Sequence, residues 1–153
     1  MITYPYIDAP MDLRYDAHAS QVLGEDYWRV LNTSRLMLSA RQWASLQAGE
    51  LIDKGSVPRI AWPLVPRDGK FEQAYGFHDK LCEYLSLTVA GRPFPITRER
   101  ADQLLYVAME VLGGTPEEIA PVRAAVEANR IVLRVDKPSN TALKRSLEAG
   151  WLL

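Results

Sequence analysis

The stretch "FEQAYGFHDKLCEYL", residues 71–85, decides how the rest of the chain is read. Phe71, Ala74, Tyr75, His78, Leu81, Cys82 and Leu85 recur at spacings of three and four, and so share one face of a helix. His78, one of two histidines in the chain, lies on that inner face, and Asp79 lies at its edge. Adjacent helical residues point about 100° apart, so the two side chains do not bond each other well and each needs a partner elsewhere. The plainer reading is a core histidine satisfied by a backbone carbonyl, with Asp79 exposed, because buried polar groups usually have partners. The sharper reading is a helix that lines a pocket.

Two flanking segments bear on that choice. Residues 98–113 read as a second helix, capped by Thr97 and ended by Gly113-Gly114, with an apolar stripe of Ala101, Leu104, Leu105, Ala108, Met109 and Leu112. Asp102 stands one turn into it. If the two helices pack antiparallel, Asp102 approaches His78, where a carboxylate on one imidazole nitrogen would fix the tautomer and leave the other as a base. Compensation of the helix dipole explains an early aspartate equally well. On the other side, "DKGSVPR" (53–59) offers Asp53 and Ser56 to a cation or an anion, and Arg59 to a carboxylate or phosphate. Asp, Gly, Ser and Pro are also ordinary turn residues. The whole of 53–70 has three prolines and two glycines and reads as a shaped loop, with one helical turn over 60–65.

Further out, the chain reads as α+β: short N-terminal β-strands or a hairpin, a central bundle of about three helices, and a C-terminal strand and short helix. Residues 1–26 mix Pro, Asp and Tyr and read as an irregular arm or edge strand. "YWRVLNTSRLML" (27–38) reads as a hairpin turning at Asn32-Thr33-Ser34, and 41–52 as a short helix or another strand pair. "LSLTVAGRPFPI" (85–96) reads as a β-ribbon turning at Ala90-Gly91. Thr115-Pro116-Glu117-Glu118 is a capping box that starts a helix running to about Asn129. Branched residues make "IVLRV" (131–135) a strand, and 139–150 closes the chain as a helix ending at Gly150.

Composition bounds the function. The 153 residues suit one domain, 1–153, with a core of its own. Hydrophobic residues make up 48% and charged residues 24%, a globular balance; a net charge of −1 with scattered Lys and Arg gives no nucleic-acid face. Cys82 is alone, so an intrachain disulfide and a CxxC zinc site are excluded, and folding in a reducing cytosol is expected. The N-terminus lacks the pattern of a signal peptide, and no apolar run has the length of a membrane span. Walker, GxSxG, HExxH and dinucleotide motifs are absent. A Cys82–His78 nucleophile pair is conceivable one turn apart, although a thiol on an apolar face is usually inert. His18 has no ligand at metal spacing, and Trp28, Trp43, Trp62 and Trp151 read as core or interface residues.

Taken in order, "IDKGSVPRIAWPLVPRDGKFEQAYGFHDKLCEY" and "RERADQLLYVAMEVLG" resemble a small bacteriophage and prophage family of unknown function. Its pattern is roughly T-D-x-A-S-[IV]-P-R, then A-x-x-H-D-x-L-Y, then R-x-x-A-D-x-x-F-x-x-A-M. The resemblance covers about 50–113 and points to Asp53, Ser56, Pro58, Arg59, His78, Asp79, Arg98, Asp102 and Met109. Ile52, Lys54-Gly55, Cys82 and Leu105 depart from it; Cys82 stands where Tyr is usual. A second resemblance is to an arrangement only. In calcium-dependent phospholipase A2 a helical His activates water, the adjacent Asp binds Ca²⁺ with loop carbonyls, and an Asp on the next helix orients the His. Here these would be His78, Asp79 with Asp53 and its loop, and Asp102, and calcium suits such oxygen ligands.

The phage resemblance implies a virion or assembly component of tail, neck or baseplate. It would be made in the host cytoplasm and carried in the virion, with other phage structural proteins or a second copy as partners and a structural His-Asp-Asp centre. A small calcium-dependent hydrolase acting on lipid or cell envelope, with His78 as base, is the alternative. An inhibitor of a host defence protein is the third.

Overall fold

The computed structural model describes residues 1–53, 69–133 and 141–152. In chain order these form β1 (Tyr6–Ile7), β2 (Leu13–Tyr15), α1 (Ala17–Leu23), β3 (Trp28–Val30), β4 (Ser34–Ser39), β5 (Gln42–Leu46) and β6 (Leu51–Ile52). There follow α2 (Glu72–Tyr84), β7 (Ser86–Val89), β8 (Arg92–Pro95), α3 (Arg98–Val111), α4 (Pro116–Leu133) and α5 (Ala142–Ala149), and a 3₁₀ turn at Gly150–Leu152. The fold is α+β. One antiparallel sheet runs β1-β4-β5-β7-β8 and a smaller one β2-β3-β6.

The N-terminal expectations need correction. Residues 27–38 do not form a hairpin: β3 pairs with β2 and β6, whereas β4 pairs with β1 and β5. Asn32 and Thr33 do not close a turn because their side chains bond outward. Asn32 accepts from the Asp12 amide at 2.8 Å and donates to the Pro10 carbonyl at 2.6 Å, and Thr33 accepts from the Ala48 amide at 3.1 Å. The segment is a crossover between sheets. Residues 41–52 are not a helix, and their two strands, β5 and β6, lie in different sheets. The hairpin in this region is β4–β5, turning at Ala40-Arg41. The arm at 1–26 is more ordered than its composition suggests. β1 and β2 are sheet edges, and Asp16 caps α1 by accepting from the Ala19 amide at 2.9 Å.

The helical half follows its local signals. Thr97 caps α3 through the Arg100 amide at 3.1 Å. Thr115 and Glu118 form the reciprocal box, at 3.1 Å and 3.2 Å. Ala90 (φ 50°) and Gly91 (φ 78°) both take the left-handed conformation of a two-residue turn between β7 and β8. Residues 131–133 are the end of α4 rather than the start of a strand, and 134–135 lie outside the described residues. Branched residues carry strand preference only where a neighbouring strand receives them, and Ile131 and Val132 are largely exposed at the tip of a helix already propagating. Thr141 caps α5, which occupies the described part of the expected 139–150 helix. The helical turn expected at 60–65 lies outside the described residues.

The main core joins both sheets to α2, α3 and α4 through Leu36 and Leu46 of the larger sheet, Ile52 of the smaller, and Tyr75, Phe77, Leu104, Leu105, Met109 and Val122 of the helices. Each large apolar side chain buried there contributes roughly 1.5–3 kcal/mol. Gly76 lets the sheet approach α2 closely: a Cβ there would meet Leu46 Cδ1 at 3.0 Å and Met11 Sδ at 3.2 Å. α2 and α3 run antiparallel, since the Leu85 carbonyl binds the Ile96 amide at one end and Phe71 packs beside Gly114 at the other. That orientation brings the middle of α2 against the first turns of α3.

Candidate active site

His78 and Asp102 meet where α2 crosses α3, as the antiparallel packing predicts. His78 Nε2 lies 2.6 Å from Asp102 Oδ1, with both side chains almost wholly buried. Two cations hold Asp102 as well. Arg130, from α4, donates to Oδ2 at 2.8 Å, and Arg98, one turn earlier on α3, reaches Oδ1 at 3.3 Å. Burial pushes the Asp102 carboxyl up, but the His78 hydrogen bond and the two guanidiniums outweigh it and hold the group below the usual carboxylate range. Burial moves His78 the other way. Loss of water disfavours the imidazolium, Arg98 adds to that, and the attraction of Asp102 does not fully offset them, so His78 sits below its ordinary value. The pair is therefore a neutral imidazole donating Nε2–H to an aspartate anion. Its lone pair is on Nδ1.

Nδ1 is buried and makes no hydrogen bond among the described residues. Among the described residues no backbone carbonyl satisfies Nδ1, and Asp102 does more than offset the helix dipole, since its carboxylate is engaged by three side chains.

Asp79 belongs to a different face of α2. It is half-buried rather than exposed, and its Oδ2 accepts from the Asp53 backbone amide at 3.1 Å. The Asp53 and Asp79 side chains also share a hydrogen bond, and burial together with the Asp53 charge raises the Asp79 carboxyl well above its normal value; Lys144 works against this. Two carboxyl groups are brought together at the end of β6 and could each offer an oxygen to a hard cation. They also form a chemically reasonable proton-sharing pair when no cation is bound. Ser56 and Arg59, like Trp62, lie outside the described residues. His18 is exposed on α1 and belongs to no cluster of three metal-ligating side chains among the described residues.

Cys82 Sγ approaches His78 Nε2 at 3.4 Å. Burial drives its thiol far up, and Nε2 is already committed to Asp102, so Cys82 is not poised as a nucleophile. Met109 is fully buried in the core.

Next to Asp79 lies a charged cluster that sequence reasoning missed. Lys80 is nearly buried, yet it pairs with Glu83 at 2.8 Å, with Glu148 and, at 3.7 Å, with Glu50. Lys144 pairs with Glu83. Arg29 ties the same region together, binding Asp16 at 2.8 Å and the carbonyls of Gly49 and Leu147 at 2.8 Å and 3.0 Å. These contacts dock α5 beside α2. The spacings Lys80/Glu83 and Lys144/Glu148 suit helical pairs, but nothing in the sequence says that they bury. Arg130 gave no signal either, because its partner lies 28 residues away.

No curated protein and no solved structure matches the chain. A family model described as "Protein of unknown function (DUF1353)" matches residues 28–126, more than half of the chain and more than the 50–113 suggested by the motifs. The matched region contains both members of the His78–Asp102 pair and both of the Asp53–Asp79 pair. The chain belongs to the DUF1353 family of proteins of unknown function.

Proposed function

We propose that the protein is a hydrolase of acyl esters in which His78 is the base and Asp102 its orienting partner. The observation that carries this reading is the buried, unpartnered Nδ1 of a neutral imidazole whose other nitrogen is fixed by an aspartate. A histidine kept only for packing is normally satisfied at both nitrogens. A base needs one nitrogen held and the lone pair of the other uncommitted. Nδ1 is uncommitted among the described residues but covered, so the reaction requires α2 and its neighbours to open and admit water.

In the proposed reaction, Nδ1 removes a proton from water as the water oxygen attacks the ester carbonyl carbon. The imidazolium so formed is stabilised by the Asp102 anion, which stays ionised because Arg98 and Arg130 hold it. Collapse of the tetrahedral adduct breaks the bond to the leaving oxygen, and the imidazolium returns its proton to that alkoxide. Asp53 and Asp79 would hold a divalent cation of the calcium type. When bound, that cation supplies polarisation of the substrate oxygen. Envelope lipid is the substrate class that the phospholipase-like arrangement suggests.

The virion-component and host-inhibitor readings draw on the phage resemblance. Neither needs a base, and both leave Nδ1 unexplained. The test is a panel running from short-chain nitrophenyl esters to mixed phospholipid vesicles, each with calcium and with chelator. Calcium-dependent release of acid from at least one ester is expected. Failure of every ester in both conditions overturns the proposal.

A further inference from the structure

The side of the imidazole opposite Nδ1 holds a second constellation. His78 Nε2, Cys82 Sγ and Asp102 Oδ1 all lie within 4.8 Å of one another. His78 and Cys82 are one turn apart on α2, and Asp102 faces them from α3. We propose that these three atoms form a site for a thiophilic divalent metal of the zinc class, distinct from the hard-cation pair Asp53–Asp79.

The geometry is close to what such an ion needs. Zn–S and Zn–N bonds of about 2.3 and 2.0–2.1 Å at a tetrahedral angle put sulfur and nitrogen about 3.5 Å apart. Sγ and Nε2 are already at 3.4 Å. Nitrogen and carboxylate oxygen must be about 3.4 Å apart in the same geometry, so the present 2.6 Å contact has to open. The means for that are present. Arg98 holds Oδ1 only at 3.3 Å, while Arg130 keeps Oδ2 at 2.8 Å and anchors the carboxylate as Oδ1 turns to the metal. One thiolate and one carboxylate neutralise the dication, and water fills the fourth position. Cys82 is the member of the trio that is not fully buried, and it marks the way in. The ligand types set the selectivity: thiolate with imidazole favours zinc or cobalt over calcium or magnesium.

The protons balance as follows. The Cys82 thiol gives up its proton to solvent. The imidazole loses its proton at Nε2, where the metal binds, and gains one at Nδ1. One proton is released for each metal bound. The occupied site therefore puts an N–H where the lone pair of the base had been. On the hydrolase reading, zinc occupancy silences the enzyme without touching Asp53 or Asp79.

The test is titration of the purified, reduced protein with Co²⁺ in thiol-free buffer, without substrate. Expected are a thiolate-to-cobalt charge-transfer band saturating at one equivalent, its displacement by one equivalent of Zn²⁺ but not by excess Ca²⁺, and release of one proton per metal. Cys82→Ser and Cys82→Ala should both lose the band and bind Co²⁺ at least tenfold more weakly, with unchanged far-ultraviolet circular dichroism. Absence of the band in the wild type, its persistence in both variants, or displacement by calcium overturns the proposal. Because no substrate is present, the outcome stands apart from that of the ester panel.

Discussion

Asp102 holds His78 by one oxygen, with Nε2 2.6 Å from Oδ1, while its second oxygen is held by Arg130 from a third helix. The carboxylate is thus fixed from three elements' worth of structure around one imidazole nitrogen. The pH response of stability follows from the two shifts. His78 lies below its ordinary value, so below about pH 6.5 the unfolded chain binds the proton more readily and folding weakens. Asp102 also lies below its ordinary value; its contribution is complete above the unfolded carboxylate range and is lost as pH falls through the folded value. In chelator, thermal melts across pH 3–7 should show a decline beginning near pH 6.5 and a steeper one in acid. Asp102→Asn should remove the acid step and, by stranding two guanidiniums, cost about 3 kcal/mol. A melting temperature flat from pH 7 down to pH 4 would contradict the assignment.

Asp79 responds in the opposite sense. Its carboxyl is raised by burial and by Asp53, so stability attached to it declines as pH rises from the ordinary carboxylate range through the folded value. Asp79→Asn keeps an oxygen to accept from the Asp53 amide and removes the like charge. It should stabilise the metal-free protein at pH 7 by roughly 1 kcal/mol, as replacement of a strained functional group often does. The same change should abolish the calcium-dependent rise in melting temperature that ligand linkage predicts for the wild type. Urea melts with and without calcium measure both.

Lys144→Met removes one of the two lysines that pair with Glu83 among the described residues, in a site where the side chains are nine-tenths buried. Breaking one partner of a buried pair costs about 3–5 kcal/mol, and α5 should detach first. Hydrogen exchange is expected to accelerate over 142–149 well before the amides of α2 and α3 are affected. Uniform acceleration through all three helices would show that α5 is not a separately docked element.

Gly49 has φ 94°, and a Cβ there would lie 2.7 Å from Trp151 Cδ1. The Trp151 ring is also covered by Arg14 and Arg29, at 5.5 Å and 5.1 Å from its centroid. Gly49→Ala combines backbone strain with displacement of that ring, and should lower stability by about 1–3 kcal/mol. Gly24→Ala shares the positive φ but meets nothing within 4 Å. It serves as the control for strain alone, and equal losses in the two variants would dismiss the Trp151 contact.

The parts of this molecule that were legible in the sequence are those whose signals are local. The apolar face of 71–85, the Thr97 cap, the Thr115–Glu118 box and the Ala90-Gly91 turn each act within a few residues, and each is found in place. The His78–Asp102 contact was legible because two helices joined by a tight ribbon have little choice but to run antiparallel. Strand partnership was not. β3 and β4 are adjacent in sequence yet lie in different sheets, because Asn32 bonds back to residues 10 and 12. The end of α4 was not legible, because branched residues favour strand only where a strand receives them, and Ile131 and Val132 are exposed at the helix tip. The Lys80–Glu83–Lys144–Glu148 cluster joins residues up to 68 positions apart, and patterning alone carries no such information.

The most direct test of the central claim compares His78→Asn with the wild type, in ester hydrolysis and in melting temperature. Asp102 keeps Arg98 and Arg130 when the imidazole is gone, so the fold should survive with a shift of only a few degrees. Hydrolysis should fall by about 10²–10⁴-fold, the usual worth of a positioned base. Undiminished hydrolysis in a folded His78→Asn protein would contradict the account.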